Sequence, residues 1–280
     1  MSFKPILGAA QFGSHYGITN KSKVKIKIVQ KILKVAKEKI STIDTAINYK
    51  DSNKILNKLN NQSFKINSKI AVTEDIDANK NKILKHLKLL KINSLNVLFI
   101  HNVSDFLKMK KKKKILNELI SLKKKNLFKK LGLSLYDPIE FKNFIKIGKP
   151  DILQVPFNIL DRRFEKRELV QFYKKNKIVI QARSCFLQGL LNAKKTPDKF
   201  EEYIDIFDKW RKWCKKNKVS RTSACLIFIK NKKFISECVF GVTNENEFKQ
   251  ILKSMNSRKK YVFPNFEKMI NKNLIDPRKW

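Results

Sequence analysis

No run of about 18 or more apolar residues occurs in this 280-residue chain, so no helical membrane span is expected. The opening Met1-Ser2-Phe3-Lys4-Pro5 lacks an apolar leader, and nothing points to export. Only four cysteines are present (Cys185, Cys214, Cys225 and Cys238). They show neither CxxC nor metal-ligand spacing, which predicts reduced, mostly structural thiols, no metal site and a cytoplasmic location. There is no long linker and no internal break in composition. A GxGxxG phosphate loop after a first strand is also missing.

Acidic residues are scarce. Lys and Arg total 63 against 24 Asp and Glu, a formal charge of +39. A polyanion partner is one reading of that excess. The other is codon bias, because lysine far outnumbers arginine, and asparagine and isoleucine, also favoured by A/T-rich codons, are abundant too. The lysines are dispersed, and the one dense run, Lys108 to Lys114, precedes an amphipathic helix. Nucleic-acid binders usually cluster basic residues and use arginine, so no nucleic-acid partner is expected.

With 42% hydrophobic residues the chain can bury a sizeable core. Short apolar runs alternate with helical patterns throughout. Strand-like runs fall at Pro5 to Gly13 (running into a glycine-bearing loop), Ile40–Asp44, Phe64–Val72, Leu95–Ile100, Lys130–Ser134, Ile152–Val155, Ile178–Ala182 and Glu237–Phe240. Between them lie helical patterns over Val24–Ile40 (apolar Ile28, Ile32, Val35 and Ala36), Asp51–Leu59, Asp77–Leu90, Ile115–Lys124, Glu165–Lys174 and residues 199–217. Asp77 is the expected cap of the third, with Ile83, Leu84, Leu87 and Leu90 on its apolar face. Asp137 before Pro138 opens another helix, Ser220 one through Ile229, and Asn244 or Glu245 a last one to Met255. Eight repeated β-α units in about 250 residues predict a single-domain (β/α)8 TIM barrel over residues 1–280, with an irregular tail from about 262. A doubly wound open sheet is the alternative.

The stretch Ser41 to Tyr49 carries the chemistry. A β-branched run ends in Asp44, and Tyr49 follows five residues later; Lys69 and His101 stand at the ends of later strand-like runs. In a barrel these carboxyl ends converge on one mouth. The set suits proton donation to a carbonyl. Tyrosine titrates near ~10, a neighbouring ammonium such as Lys69 lowers that value, and a carboxylate such as Asp44 keeps the lysine charged and oriented. His101 would hydrogen-bond the substrate oxygen. No residue delivers a hydride, so a reductase of this kind needs a nicotinamide cofactor.

From Leu7 to about Leu252 the chain resembles the aldo/keto reductase superfamily, most nearly its bacterial branch associated with surface-polysaccharide biosynthesis. The resemblance rests on LGAAQFGSHYGITN (7–20), TIDTAINY (42–49), INSKI (66–70), LNVLFIHN (95–102), LGLSLYDP (131–138), ILQVPFNILDRR (152–163), QARSCFLQGLL (181–191) and FGVTNENEF (240–248). It implies Asp44, Tyr49, Lys69 and His101 as a catalytic tetrad with Tyr49 as general acid. It places Ser134 and Gln154 near a nicotinamide carboxamide, Arg183 where an aromatic often stacks on the nicotinamide, and Ser184 beside the pyrophosphate. Gly241, Val242 and Thr243 fall at the adenosine phosphate. NADP is the expected cofactor, with NAD as the alternative, and a small or sugar-like carbonyl compound the substrate. A monomer or weak homo-oligomer is expected. The chain departs from the family pattern at Lys50 (usually glycine), Asn53 (usually Glu) and Glu247 (usually Gln). No basic residue occupies Asn244 to Glu247, which leaves Lys249 to grip a 2′-phosphate. Outside these motifs, His15 reads as a loop histidine and His86 as a surface-helix one. Trp210 and Trp213 read as packing residues, and Asp161-Arg162-Arg163 as an exposed loop or an anion clamp.

Overall fold

The computed structural model describes residues 3–19, 23–59 and 63–280; Met1, Ser2 and Asn20, which belong to the opening segment and the 7–20 motif, lie outside them. Eight parallel strands, β1 (Lys4–Gly8), β2 (Thr42–Asp44), β3 (Lys65–Ile70), β4 (Leu95–Ile100), β5 (Phe128–Ser134), β6 (Ile152–Pro156), β7 (Val179–Arg183) and β8 (Glu237–Phe240), close into a barrel in chain order. Pairing of β1 with β8 (Leu7 level with Phe240) completes the ring, so no strand edge is left open. The (β/α)8 barrel expected from the alternation is therefore the fold.

The surrounding helices are α1 (Ile26–Ala36), α2 (Lys50–Lys58), α3 (Ile76–Leu90), α4 (Val103–Lys108), α5 (Lys112–Lys124), α6 (Pro138–Phe144), α7 (Arg167–Lys175), α8 (Ile204–Lys216), α9 (Arg221–Lys230), α10 (Glu245–Asn256) and α11 (Lys272–Ile275). Their apolar stripes pack on the outer strand faces and build most of the core. Inside the barrel a small separate cluster of Val97, Phe99 and Ile152 sits below the mouth. Gly132 makes room for it: a Cβ there would lie 2.3 Å from Phe99 Cδ1.

Several caps fall where the sequence puts them. Asp137 and Glu140 form a capping box on α6, Ser220 caps α9, and Asn244 caps α10. Others differ. The cap of α3 is Asp75, whose carboxylate accepts from Ala78 N at 2.9 Å, because the helix begins one residue before Asp77. Leu84 is exposed, and its expected place on the apolar face is taken by His86, which is buried and hydrogen-bonded to Ser68 Oγ at 2.8 Å. In α1 the buried residues are Val29, Ile32, Leu33 and Ala36, while Ile28 faces outward. The 199–217 pattern divides into a 3-10 turn, Asp198–Tyr203, and α8. Trp210 is buried, stacked on Trp213 with ring centroids 5.5 Å apart, and donates to Leu191 O at 3.0 Å. That pair is packing. Past residue 262 the chain carries short turns and α11, and docks on the loop after β5: Lys272 pairs with Asp137 at 3.1 Å, and the Arg278 guanidinium lies 3.9 Å from the Tyr136 ring centroid.

Candidate active site

The carboxyl ends of the strands surround a cavity of about 380 Å³. Asp44 closes β2, Lys69 is the penultimate residue of β3, and His101 directly follows β4. Tyr49 arrives by a different route. It immediately precedes α2 at the end of a short loop from β2, and buried Asn53 holds that loop in shape. The Asn53 side chain accepts from Thr45 Oγ1 at 2.8 Å and donates to Ala46 O at 2.9 Å and Ile47 O at 3.3 Å. The departure at position 53 thus supplies backbone support for Tyr49. Lys50, the other departure in this stretch, is exposed. All four tetrad residues line the cavity. The Lys69 ammonium lies 5.7 Å from the Tyr49 ring centroid, and the His101 ring stands edge-on to it at 6.3 Å.

Lys69 and Asp44 form a buried ion pair, and Lys69 also donates to Thr45 O at 2.9 Å. Gln154 donates to the second Asp44 oxygen at 2.8 Å and to Gln181 Oε1 at 2.6 Å; Gln181 donates on to Glu237 at 2.7 Å. A polar thread therefore runs down the barrel axis from the mouth. Burial pulls Lys69 below the ordinary lysine range, against the opposing pull of Asp44. Burial, and then the Asp44 carboxylate, push the Tyr49 phenol well above its usual range. This reverses the expectation of a lowered phenol, because desolvation and the Asp44 carboxylate outweigh the one opposing charge, that of Arg183. His101 is pushed down to about 4 by burial and by the charges of Lys69 and Arg183. At neutral pH the site holds a protonated phenol beside a neutral imidazole.

Ser134, Gln154, Arg183, Ser184, Gly241 and Thr243 line the same cavity, whereas Val242 is fully buried and does not. Arg183 lies 4.2 Å from the Tyr136 ring centroid and donates to Leu135 O at 2.9 Å and Ser184 Oγ at 3.1 Å; among the described residues it pairs with no carboxylate. Three buried acceptors on residues of the cavity wall, Gln11 Oε1, Gln154 Oε1 and Asn192 Oδ1, have no partner among the described residues. Such atoms normally do. A Cβ on Gly241 would come within 2.2 Å of Gln11 Oε1, so the open backbone there is part of the cavity's shape. Unpartnered acceptors, one of them beside the bare backbone of Gly241, fit a ligand bearing amide donors.

Among the cavity residues outside the expected site set are Tyr16, and Glu247, which the sequence marks only as a departure from the family pattern. Tyr16 belongs to the Gly13–Gly17 loop and lines the cavity together with Tyr49. The loops after β1 and β7 meet over the cavity, where Ile18 N donates to Gln188 O at 3.1 Å. Gly189, at φ 98°, permits the contact, since a side chain there would strike Thr19 Oγ1. Glu247 accepts from Thr243 N at 2.7 Å and from Thr243 Oγ1 at 2.9 Å. Lys249 pairs instead with Glu245 at 2.6 Å and lines a separate pocket. Asp161 is buried in a two-bond clasp by Arg163 at 2.8 and 2.7 Å, while Arg162 between them is exposed and pairs with Glu165 at 2.7 Å, so the segment is only in part an exposed loop and its arginines are already paired. Among the described residues no cluster of His, Cys, Asp and Glu would hold a metal ion, and no helix is long and apolar enough to cross a membrane.

The model of the aldo/keto reductase family matches residues 5–269. An NADH-specific methylglyoxal reductase of Escherichia coli is 24% identical over 158 residues, 51% of this chain and 47% of that protein, so the match spans about half the length of the relative. An aldo-keto reductase from Bacillus halodurans, solved in its holo form, is 16% identical with a TM-score of 0.75, covering 93% of this chain and 88% of its own. One from Klebsiella pneumoniae, solved in complex with NADPH, is 13% identical with a TM-score of 0.67, covering 90% and 85%. At these identities the structural likeness speaks for the fold alone.

Proposed function

The chain belongs to the aldo/keto reductase family, and on that premise we propose that it is a cytoplasmic, nicotinamide-dependent enzyme that interconverts a carbonyl and an alcohol, with Tyr49 as the proton donor. The substrate class we read is a small aldehyde or ketone, or a sugar-like carbonyl of the kind met in surface-polysaccharide synthesis. The reading places the whole chain in one catalytic domain and treats the +39 charge as composition, since among the described residues Lys69 and Arg183 are the only lysine and arginine on the cavity wall.

The observation that carries this is the buried Asp44–Lys69 pair standing beside Tyr49 and His101 at one end of the cavity. The raised phenol is fully protonated at neutral pH, which makes Tyr49 an acid rather than a base. As its proton moves to a developing alkoxide, the phenolate left behind is stabilised by the Lys69 ammonium, which Asp44 keeps in place. Neutral His101 offers one ring N–H to the substrate oxygen without adding a second cation. Gln154, already fixed by two donated bonds, keeps Oε1 free for a carboxamide N–H. Ser134, Arg183 and Ser184, and beyond them Gly241 and Thr243, would hold the rest of the dinucleotide. When bound, a reduced nicotinamide supplies the hydride.

For the cofactor itself we favour NADH over the NADP expected from the motifs. The charged group on the wall beside Thr243 is the Glu247 carboxylate, and Lys249 is tied to Glu245 away from the cavity. Like-charge repulsion across a partly solvated site is worth roughly 1–2 kcal/mol, about tenfold in affinity. The Escherichia coli relative bears the name of an NADH-specific reductase, in keeping with this reading. Replacing Tyr49 by Phe tests the central role: cofactor binding should persist while turnover falls by about 10²–10⁴-fold, and retained turnover would remove Tyr49 from the mechanism.

A further inference from the structure

Cys185 and Cys238 meet between the loop that follows β7 and the strand β8. Their sulfurs are 3.2 Å apart, and Cys185 Sγ also donates to Val239 O at 2.9 Å. With the Cys185 hydrogen directed at Val239 O, the Cys238 S–H is the one that points at the Cys185 sulfur. Both thiols are free and buried, but they differ in what they face. Cys185 lines the main cavity, while Cys238 lies behind it on β8, level with Ala182 of β7. Cys214 and Cys225 sit on α8 and α9, and neither reaches the cavity wall.

We propose that Cys185 and Cys238 are a redox modification site, converted to an intramolecular disulfide by a hydroperoxide small enough to enter the cavity. A disulfide spans ~2.05 Å between sulfurs, so the pair has about 1.2 Å to close. The loop side can supply that movement. Cys185 follows Ser184 at φ 56° and precedes Leu187 and Gln188 at φ 47° and 51°, so it is held in no regular strand ladder.

The chemistry balances with the peroxide as the only oxidant. The Cys185 thiol sheds its proton and the sulfur attacks the hydroxyl oxygen of the peroxide; the O–O bond breaks, a sulfenic acid forms on Cys185, and the other oxygen takes up that proton and leaves as water or alcohol. Cys238 Sγ then attacks the sulfenic sulfur, the S–O bond breaks, and the departing hydroxide carries off the Cys238 proton as water. Two thiols lose two electrons and two protons, and the hydroperoxide is reduced by the same two electrons. The order follows from position and environment. Cys185 is the thiol the peroxide meets. The hydrogen bond to Cys185 and complete burial hold the Cys238 thiol far above its usual range, and so protonated until the second step. The product tethers the start of the loop over the cavity to β8.

The test reads covalent chemistry and does not depend on the proposed activity. The reduced, folded protein is exposed to a small excess of hydrogen peroxide, quenched by alkylation under denaturing conditions, and examined by thiol titration and peptide mass mapping. The expected result is a fall from four free thiols to two, with a Cys185–Cys238 cross-linked peptide that a thiol reductant dissolves. Four surviving thiols, a cross-link between another pair, or Cys185 found as sulfinic acid with Cys238 untouched would each overturn the proposal. In Cys238→Ser the sulfenic acid on Cys185 should persist long enough to be trapped by dimedone; a disulfide involving Cys185 in that variant also counts against the pairing. If that variant fails to fold, the wild-type peptide map decides alone.

Discussion

Replacing Lys69 by methionine leaves the Asp44 carboxylate in the barrel mouth with Gln154 as its one remaining side-chain partner among the described residues. The two side chains of the pair are only 4% and 6% exposed, so water cannot replace the lost ammonium. Removing one member of such a pair costs about 3–5 kcal/mol. Against a total stability of about 5–15 kcal/mol that is a large fraction, and at about 2–4 °C per kcal/mol the melting temperature should fall by roughly 6–20 °C. Asp44→Asn should cost less. Burial already pulls Lys69 down, and without Asp44 the lysine can shed its proton rather than remain as a buried charge. The sign of its pH dependence follows. The unfolded lysine holds its proton up to about 10.5 and burial lowers that value in the folded chain, so stability of the Asp44→Asn variant should rise between neutral pH and about pH 9. The double variant carries neither charge and should recover part of the Lys69→Met loss. Urea unfolding followed by circular dichroism, at both pH values, reads all three. A Lys69→Met protein within about 1 kcal/mol of wild type, with a double variant no better, would refute the buried-pair reasoning.

Two further predictions concern the scaffold. His86 is buried and pushed down to about 4, so the unfolded chain takes up its proton near 6.5 and the folded chain only near 4. Its contribution is complete above about pH 6.5 and is lost as pH falls toward 4, about 3 kcal/mol in all; His86→Gln should flatten that acid limb in urea midpoints, and an unchanged slope would exclude His86 as its source. Gly132→Ala drives a methyl group into the Phe99 ring inside the barrel and should cost about 1–3 kcal/mol. Adding Phe99→Leu should restore part of the melting temperature, and a lone Gly132→Ala without loss would show that the interior cluster has slack.

Most of the architecture is legible because barrel strands are short apolar runs with a polar residue at the carboxyl end. Asp44, Lys69, His101 and Ser134 each mark such an end, and the closed sheet brings them together without any long-range signal. His86 can be placed from spacing alone, since it lies three residues after Ile83 and four before Leu90, on the helix face that packs inward; its polar identity and lysine-rich neighbours obscure this. The short helix α4 has too few residues to show a period. Gln181 and Glu237 alternate inward like their apolar neighbours, yet their pairing into a thread from Gln154 depends on strand register, which the sequence does not state. Tyr16 is the hardest. Its place on the cavity wall with Tyr49 depends on two loops, distant in sequence, that meet where Gly17 and Gly189 adopt positive φ. The ionisation of Tyr49 escapes the sequence for a different reason: the residues show which charges are near, but not how completely the phenol is removed from water.

The most direct measurement is a fluorescence titration of the purified protein with NADH and, in parallel, NADPH. The account predicts saturable binding of NADH, about tenfold tighter than NADPH, abolished by neither Tyr49→Phe nor moderate salt. Absence of binding to either nucleotide would contradict the claim that this cavity is a nicotinamide site, and tighter binding of NADPH would contradict the role given to Glu247.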